Sequence, residues 1–132
     1  MPDEVFRELV QIMARLRGPD GCPWDREQRM ADLGRYIREE AEEVAHAVES
    51  GDAVAIREEL GDLLFNIVHA ARIGEEQGEF TIRDVLAGVR DKIVRRHPHV
   101  FGDAKATTTA EVLAHWNRVK AEEKRAREAG SE

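Results

Sequence analysis

Apolar residues recur every three or four positions along most of the chain, and the places where the recurrence stops divide it into helices. Val5, Phe6, Leu9, Ile12, Met13 and Leu16 predict an amphipathic helix over residues 3–17. Gly18-Pro19-Asp20-Gly21 ends it. The glycines and prolines through Cys22-Pro23-Trp24-Asp25 predict an irregular loop, with Trp24 as a packing anchor. A second helix is expected over residues 26–50, its apolar stripe formed by Leu33, Ile37, Ala41, Val44 and Val48, and Gly51 closes it. Asp52 can cap a third helix running to about Gln77, with Ile56, Leu60, Leu63, Leu64 and Ile67 as its stripe. So short a connection makes these two helices antiparallel neighbours.

Farther on, Thr81-Ile82-Arg83-Asp84 reads as an N-cap with an acid at N3. Ile82, Val85, Leu86, Val89 and Ile93 continue as a fourth helix that ends before Pro98. His97-Pro98-His99-Val100-Phe101-Gly102-Asp103 reads as a loop with Val100 and Phe101 turned inward. Thr108 caps a last helix, with Glu111 at N3 and Val112, Leu113, Trp116 and Val119 on its apolar side. From Ala121 the chain is charged on all sides, so residues 121–132 read as a solvated tail and 1–120 as one domain. The expected fold is all-α, an antiparallel bundle of about five helices.

Carboxylates interrupt two of these stripes. Glu40 falls inside the stripe of the second helix and Glu43 at its edge, whereas Glu42 points away; on the third helix Glu59 and Asp62 share a flank. Each pair is spaced i, i+3, and the two pairs sit at matched distances from the turn, so antiparallel pairing brings them level. Inward-facing acids cost several kcal/mol each unless a positive partner compensates them.

One compensation is a network of ion pairs with Arg38, Arg57, Lys92 and Arg96. The other is a hard cation, because four oxygen donors without cysteine suit Mg²⁺ or Mn²⁺ better than zinc or copper. Lys92 and Arg96 project toward the apolar side of the fourth helix, and Lys120 lies one turn beyond Trp116. These supply partners for phosphate, which Mg²⁺ often shares with protein carboxylates. A di-iron bundle needs two Glu-x-x-His elements; Glu43-Val44-Ala45-His46 is one, but neither Glu59 nor Asp62 has a histidine three residues on. His46 is then a surface residue.

Composition narrows the classes further. Of 132 residues, 42% are hydrophobic, 36% charged and 5% aromatic, which favours helix over sheet. A net charge of −7 argues against nucleic acid or an anionic membrane as partner. Cys22 is the single cysteine, which excludes an internal disulfide and fits a reducing cytoplasm. The start Met1-Pro2-Asp3-Glu4 lacks the basic and apolar regions of a signal peptide, and no run approaches a transmembrane span.

Four blocks together carry a resemblance. They are Gly21-Cys22-Pro23-Trp24-Asp25; Glu39-Glu40-x-x-Glu43 answered by Glu58-Glu59-Leu60-Gly61-Asp62-Leu63-Leu64; Arg95-Arg96-His97-Pro98-His99-Val100-Phe101-Gly102-Asp103; and Trp116 with Lys120. In this order the sequence resembles the MazG-type nucleoside triphosphate pyrophosphohydrolases, an all-α superfamily, in single-domain form. The resemblance implies Mg²⁺-dependent hydrolysis of a nucleoside triphosphate to a monophosphate and pyrophosphate, as in nucleotide-pool cleaning. It assigns the metal to Glu40, Glu43, Glu59 and Asp62 and the attacking water to Glu39. It assigns the triphosphate to Lys92, Arg96 and Lys120, with Arg95 assisting, and the nucleotide to Trp116. It also implies a homodimer or higher homo-oligomer. The chain departs from the usual pattern at Arg29-Met30, where Thr-His is common, at Asp32-Leu33 for Ser-Leu, and at Glu42 for Tyr. None of these is a proposed ligand. Two other readings are a catalytically weak nucleotide-binding regulatory module and a structural helical dimer.

Overall fold

The computed structural model describes residues 1–130, and among them every regular element is a helix: α1 Pro2–Leu16, α2 Pro23–Glu27, α3 Met30–Ser50, α4 Ala53–Glu76, α5 Ile82–Arg96, α6 Pro98–Phe101 and α7 Thr109–Gly130. The chain divides into two compact units, Met1–Ile82 and the segment from Arg83 onward.

In the first unit α3 and α4 form the antiparallel hairpin that the spacing predicts. Gly51 stands at φ 73°, a left-handed conformation that glycine takes without a Cβ penalty, and it terminates α3. One residue later the Asp52 carboxylate accepts a 3.0 Å hydrogen bond from the Val54 amide and starts α4. Helix α1 packs on α4. The core formed there holds Met13, Leu33, Val68, Ala71 and Ile73, each at most 3% exposed.

Three expectations change in this unit. The supposed loop at Pro23 is the short helix α2, because Pro23 occupies its first turn, where a missing N–H and a fixed φ are favourable. The helix expected over 26–50 is instead broken at Gln28 and Arg29, both extended, and α3 restarts with the Asp32 carboxylate accepting from the Arg29 amide at 2.9 Å. The apolar stripe of α4 is also not uniformly interior. Leu60, Leu64 and Ile67 are exposed, since the core face is carried by Val68, Ala71 and Ile73 nearer its C-terminus.

In the second unit Thr108 caps α7 as expected: its hydroxyl accepts from the Glu111 amide and donates to the Glu111 carboxylate, both at 3.2 Å. Helix α7 continues through the residues that read as a solvated tail as far as Gly130, and residues 131–132 of that tail lie outside the described residues. The loop expected at 97–103 contains α6, again with proline in its first turn. That turn directs Val100 and Phe101 outward, each 61% exposed, which corrects their inward placement.

Candidate functional site

Pairing α3 with α4 brings carboxylates of both helices to one spot. Oxygens of Glu40, Glu59 and Asp62 lie within 4.8 Å of one another. Such proximity is unfavourable for three anions, and burial adds to the strain on Glu40. The Glu40 carboxyl is pushed up to about 7, first by burial, then by a hydrogen bond with Glu59 and by the charges of Glu59, Asp62 and Glu43. Its buried Oε1 has no hydrogen-bond partner. Among the described residues neither Arg38 nor Arg57 forms an ion pair with any of these acids.

An all-oxygen donor set with an orphaned buried oxygen fits a hard divalent cation. Glu43, expected beside Glu40, Glu59 and Asp62, is exposed and lies outside this group of three. With Glu39, Glu40, Trp24, Tyr36, Phe65, Asn66 and His69 it lines a pocket of about 320 Å³. Glu40 is therefore common to the carboxylate cluster and to the pocket.

Several pocket residues were not anticipated. Trp24 was expected to be a packing anchor, yet it is 54% exposed, and its ring lies 5.6 Å from that of Tyr36. Asn66 and His69 follow Asp62 by four and seven residues, and Tyr36 precedes Glu40 and Glu43 by the same intervals. Helical period alone therefore places them on the acidic faces. His69 is 2% exposed. Burial, and then the charge of Arg17, hold its imidazole below its usual range.

The basic residues lie in the second unit. Arg95 and Arg96 converge on Glu123 of α7, with ion-pair distances of 2.6 and 3.0 Å. The Arg96 guanidinium lies over the Trp116 ring at 4.9 Å, and the His97 ring meets the same indole edge-on at 5.4 Å. Arg96 and Trp116 are thus direct neighbours, and Glu123, a residue of the expected tail, joins Arg96 to Arg95. Lys92 and Lys120 are exposed. Among the described residues no helix is long and apolar enough to cross a membrane.

The acidic hairpin lies inside a longer stretch that is shared with known proteins. A model of the MazG nucleotide pyrophosphohydrolase domain matches residues 28–101. The chain belongs to the MazG family. It is 48% identical over 117 residues to the nucleoside triphosphate pyrophosphohydrolase of Escherichia coli K12, covering 88% of this chain and 44% of that protein. It is 43% identical over 120 residues to the nucleoside triphosphate pyrophosphohydrolase/pyrophosphatase MazG of Thermotoga maritima, covering 91% and 46%. The chain spans less than half the length of these two MazG relatives. The crystal structure of a mazG-related protein from Thermotoga maritima superposes with a TM-score of 0.73 at 28% identity, covering 87% of this chain and 98% of that one.

Proposed function

We propose that the chain hydrolyses nucleoside triphosphates to nucleoside monophosphate and pyrophosphate, as a pool-cleaning enzyme of the cytoplasm. The observation that carries this reading is the convergence of Glu40, Glu59 and Asp62 without a basic partner, on a hairpin that matches the MazG family. Glu40, Glu43, Glu59 and Asp62 would hold Mg²⁺, with Mn²⁺ as a substitute. That ion, when bound, offsets phosphate charge and acidifies a coordinated water.

The rest follows from the chain's own groups. Glu39 lines the same pocket as Glu40 and is proposed to orient the water and take its proton. The water oxygen bonds to the α-phosphorus as the bond from that phosphorus to the α,β-bridging oxygen breaks, and pyrophosphate leaves with the electron pair. Lys92, Arg95, Arg96 and Lys120 are proposed to stabilise the charge on the polyphosphate, with Trp116 against the nucleotide. Trp24 and Tyr36 offer aromatic faces beside the carboxylates, which suit a flat base.

Self-association into a homodimer is part of the same proposal. An apolar groove of about 650 Å³ between α1 and α4, lined by Val5, Phe6, Leu9 and Leu64, supports it.

The deciding experiment incubates the chain with Mg²⁺ and a panel of canonical, deoxy and modified triphosphates, scoring pyrophosphate and orthophosphate separately. Equal amounts of monophosphate and pyrophosphate are expected. Orthophosphate alone would overturn α,β-cleavage, and triphosphate binding without any release would favour a regulatory module.

A further inference from the structure

Helix α2 has five residues. An isolated helix so short does not persist in water, where roughly 12–15 residues are needed even for marginal stability. Yet α2 carries Trp24 into the acidic pocket. What fixes it comes from other elements.

Arg17 caps the C-terminus of α1, and its side chain is only 8% exposed. Its Nη1 donates to the carbonyl oxygens of Asp25 at 2.5 Å and of Gln28 at 3.1 Å. These belong to the C-terminal end of α2, where a helix leaves its carbonyls unpaired. The other edge of the same guanidinium donates from Nε and Nη2 to the two carboxylate oxygens of Glu76 on α4, both at 2.8 Å. Nη1 also lies 3.3 Å from His69 Nε2. The Gln28 side chain completes the arrangement by donating to the Trp24 carbonyl at 2.9 Å.

One planar fork thus joins the end of α1, the end of α2 and two turns of α4, while lining no part of the pocket itself. We propose that Arg17 is a positioning residue for nucleotide binding, which acts by clamping α2 to α4 so that Trp24 stands at the wall of the acidic pocket. The inference rests on the nucleotide reading of that pocket. It singles out Arg17 because a lysine ammonium cannot grip a carboxylate side-on while also reaching two carbonyls.

The test measures binding of the Mg²⁺ complexes of α,β-methylene purine and pyrimidine nucleoside triphosphates by calorimetry. The proteins compared are wild type, Arg17→Lys, Trp24→Ala and the double variant. Each single substitution should weaken binding by about tenfold. Since Arg17 acts through Trp24, the double variant should bind within roughly threefold of Trp24→Ala rather than showing the product of the two losses. In a Trp116→Phe background, acrylamide should quench Trp24 more strongly once Arg17 is lysine.

Wild-type affinity in a folded Arg17→Lys protein, or losses that multiply in the double variant, would overturn the proposal. Should Arg17→Lys fail to fold, Glu76→Gln loosens the clamp from the α4 side and must produce the same direction of change. Unaltered binding and quenching there would count equally against it. If wild type binds neither analogue, the nucleotide reading fails, and the quenching comparison still decides whether Arg17 sets Trp24.

Discussion

In the first unit, the carboxylates of α3 and α4 that converge form, among the described residues, no ion pair with a lysine or arginine. In the second, Arg95 and Arg96 converge on a carboxylate that the chain supplies itself, Glu123. The difference is between charges that the chain leaves uncompensated and charges that it already pairs. A cluster of like charges is relieved either by taking up a proton or by binding a cation, and Glu40, with its proton affinity raised and one buried oxygen unpartnered, is the acid on which that choice falls. The arginines, by contrast, are already satisfied. Any polyphosphate that engages them must compete with Glu123 or share them with it.

The sharpest way to break this contrast is to remove one acid. Glu40→Gln, Glu43→Gln or Asp62→Asn should abolish turnover while leaving the helical circular dichroism intact. The loss should exceed the roughly 10–100-fold that altering a mere supporting group costs a metal site. Full activity in any of the three would take that residue out of the ligand set. Mg²⁺ at 100 times its dissociation constant should stabilise wild type by about 2.7 kcal/mol. The same addition should leave the melting temperature of the inactive variants nearly unchanged. If the acids were only structural, Mg²⁺ would not shift wild type either.

Next in size is a pH effect. The Glu40 carboxyl titrates near 7 in the metal-free fold, above its usual 4.5, so folding favours its protonated form. Its contribution to stability is therefore complete below about pH 4.5 and is lost as the pH rises toward 7. Metal-free wild type should lose melting temperature relative to Glu40→Gln between pH 5 and 8. Stabilisation by Mg²⁺, which needs the carboxylate, should grow over the same interval. Parallel melting curves for the two proteins across that range would contradict the assignment.

The smallest expected effect tests the other side of the comparison. Glu123→Gln releases Arg95 and Arg96, and should raise KM for the triphosphate modestly because Arg96 loses an anchor beside Trp116. Mg²⁺ binding, measured calorimetrically without nucleotide, should be unchanged. A shift in metal affinity would mean that the two charged regions are not independent.

The sequence made the hairpin legible because its determinants are local. Gly51, Asp52 and the i, i+3 acids act within a few residues of themselves, and the structure returns a turn, a cap and a cluster of three of the four acids, Glu40, Glu59 and Asp62, without Glu43. It did not make α2 legible, since Pro23 favours a first turn but the contacts that hold its C-terminal end come from Arg17, and Arg17 is anchored to Glu76. For the same reason Trp24 read as an anchor: whether an indole faces core or pocket is decided by elements far along the chain. Tyr36, Asn66 and His69 were legible in principle, as continuations of the acidic faces at helical period. Glu123 was hidden by composition, because a charged helix that pairs with arginines has the same letters as one that only meets solvent.

The acids that converge at the cluster lie in one uninterrupted stretch, folded back on itself at Gly51. Closing so short a loop carries little entropic penalty and requires no partner distant in sequence. The hairpin can therefore assemble early as the chain folds and remain whole when segments beyond it are lengthened, replaced or duplicated. A carboxylate cluster of this kind is a portable cassette, and the surrounding helices can diversify around it without rebuilding it.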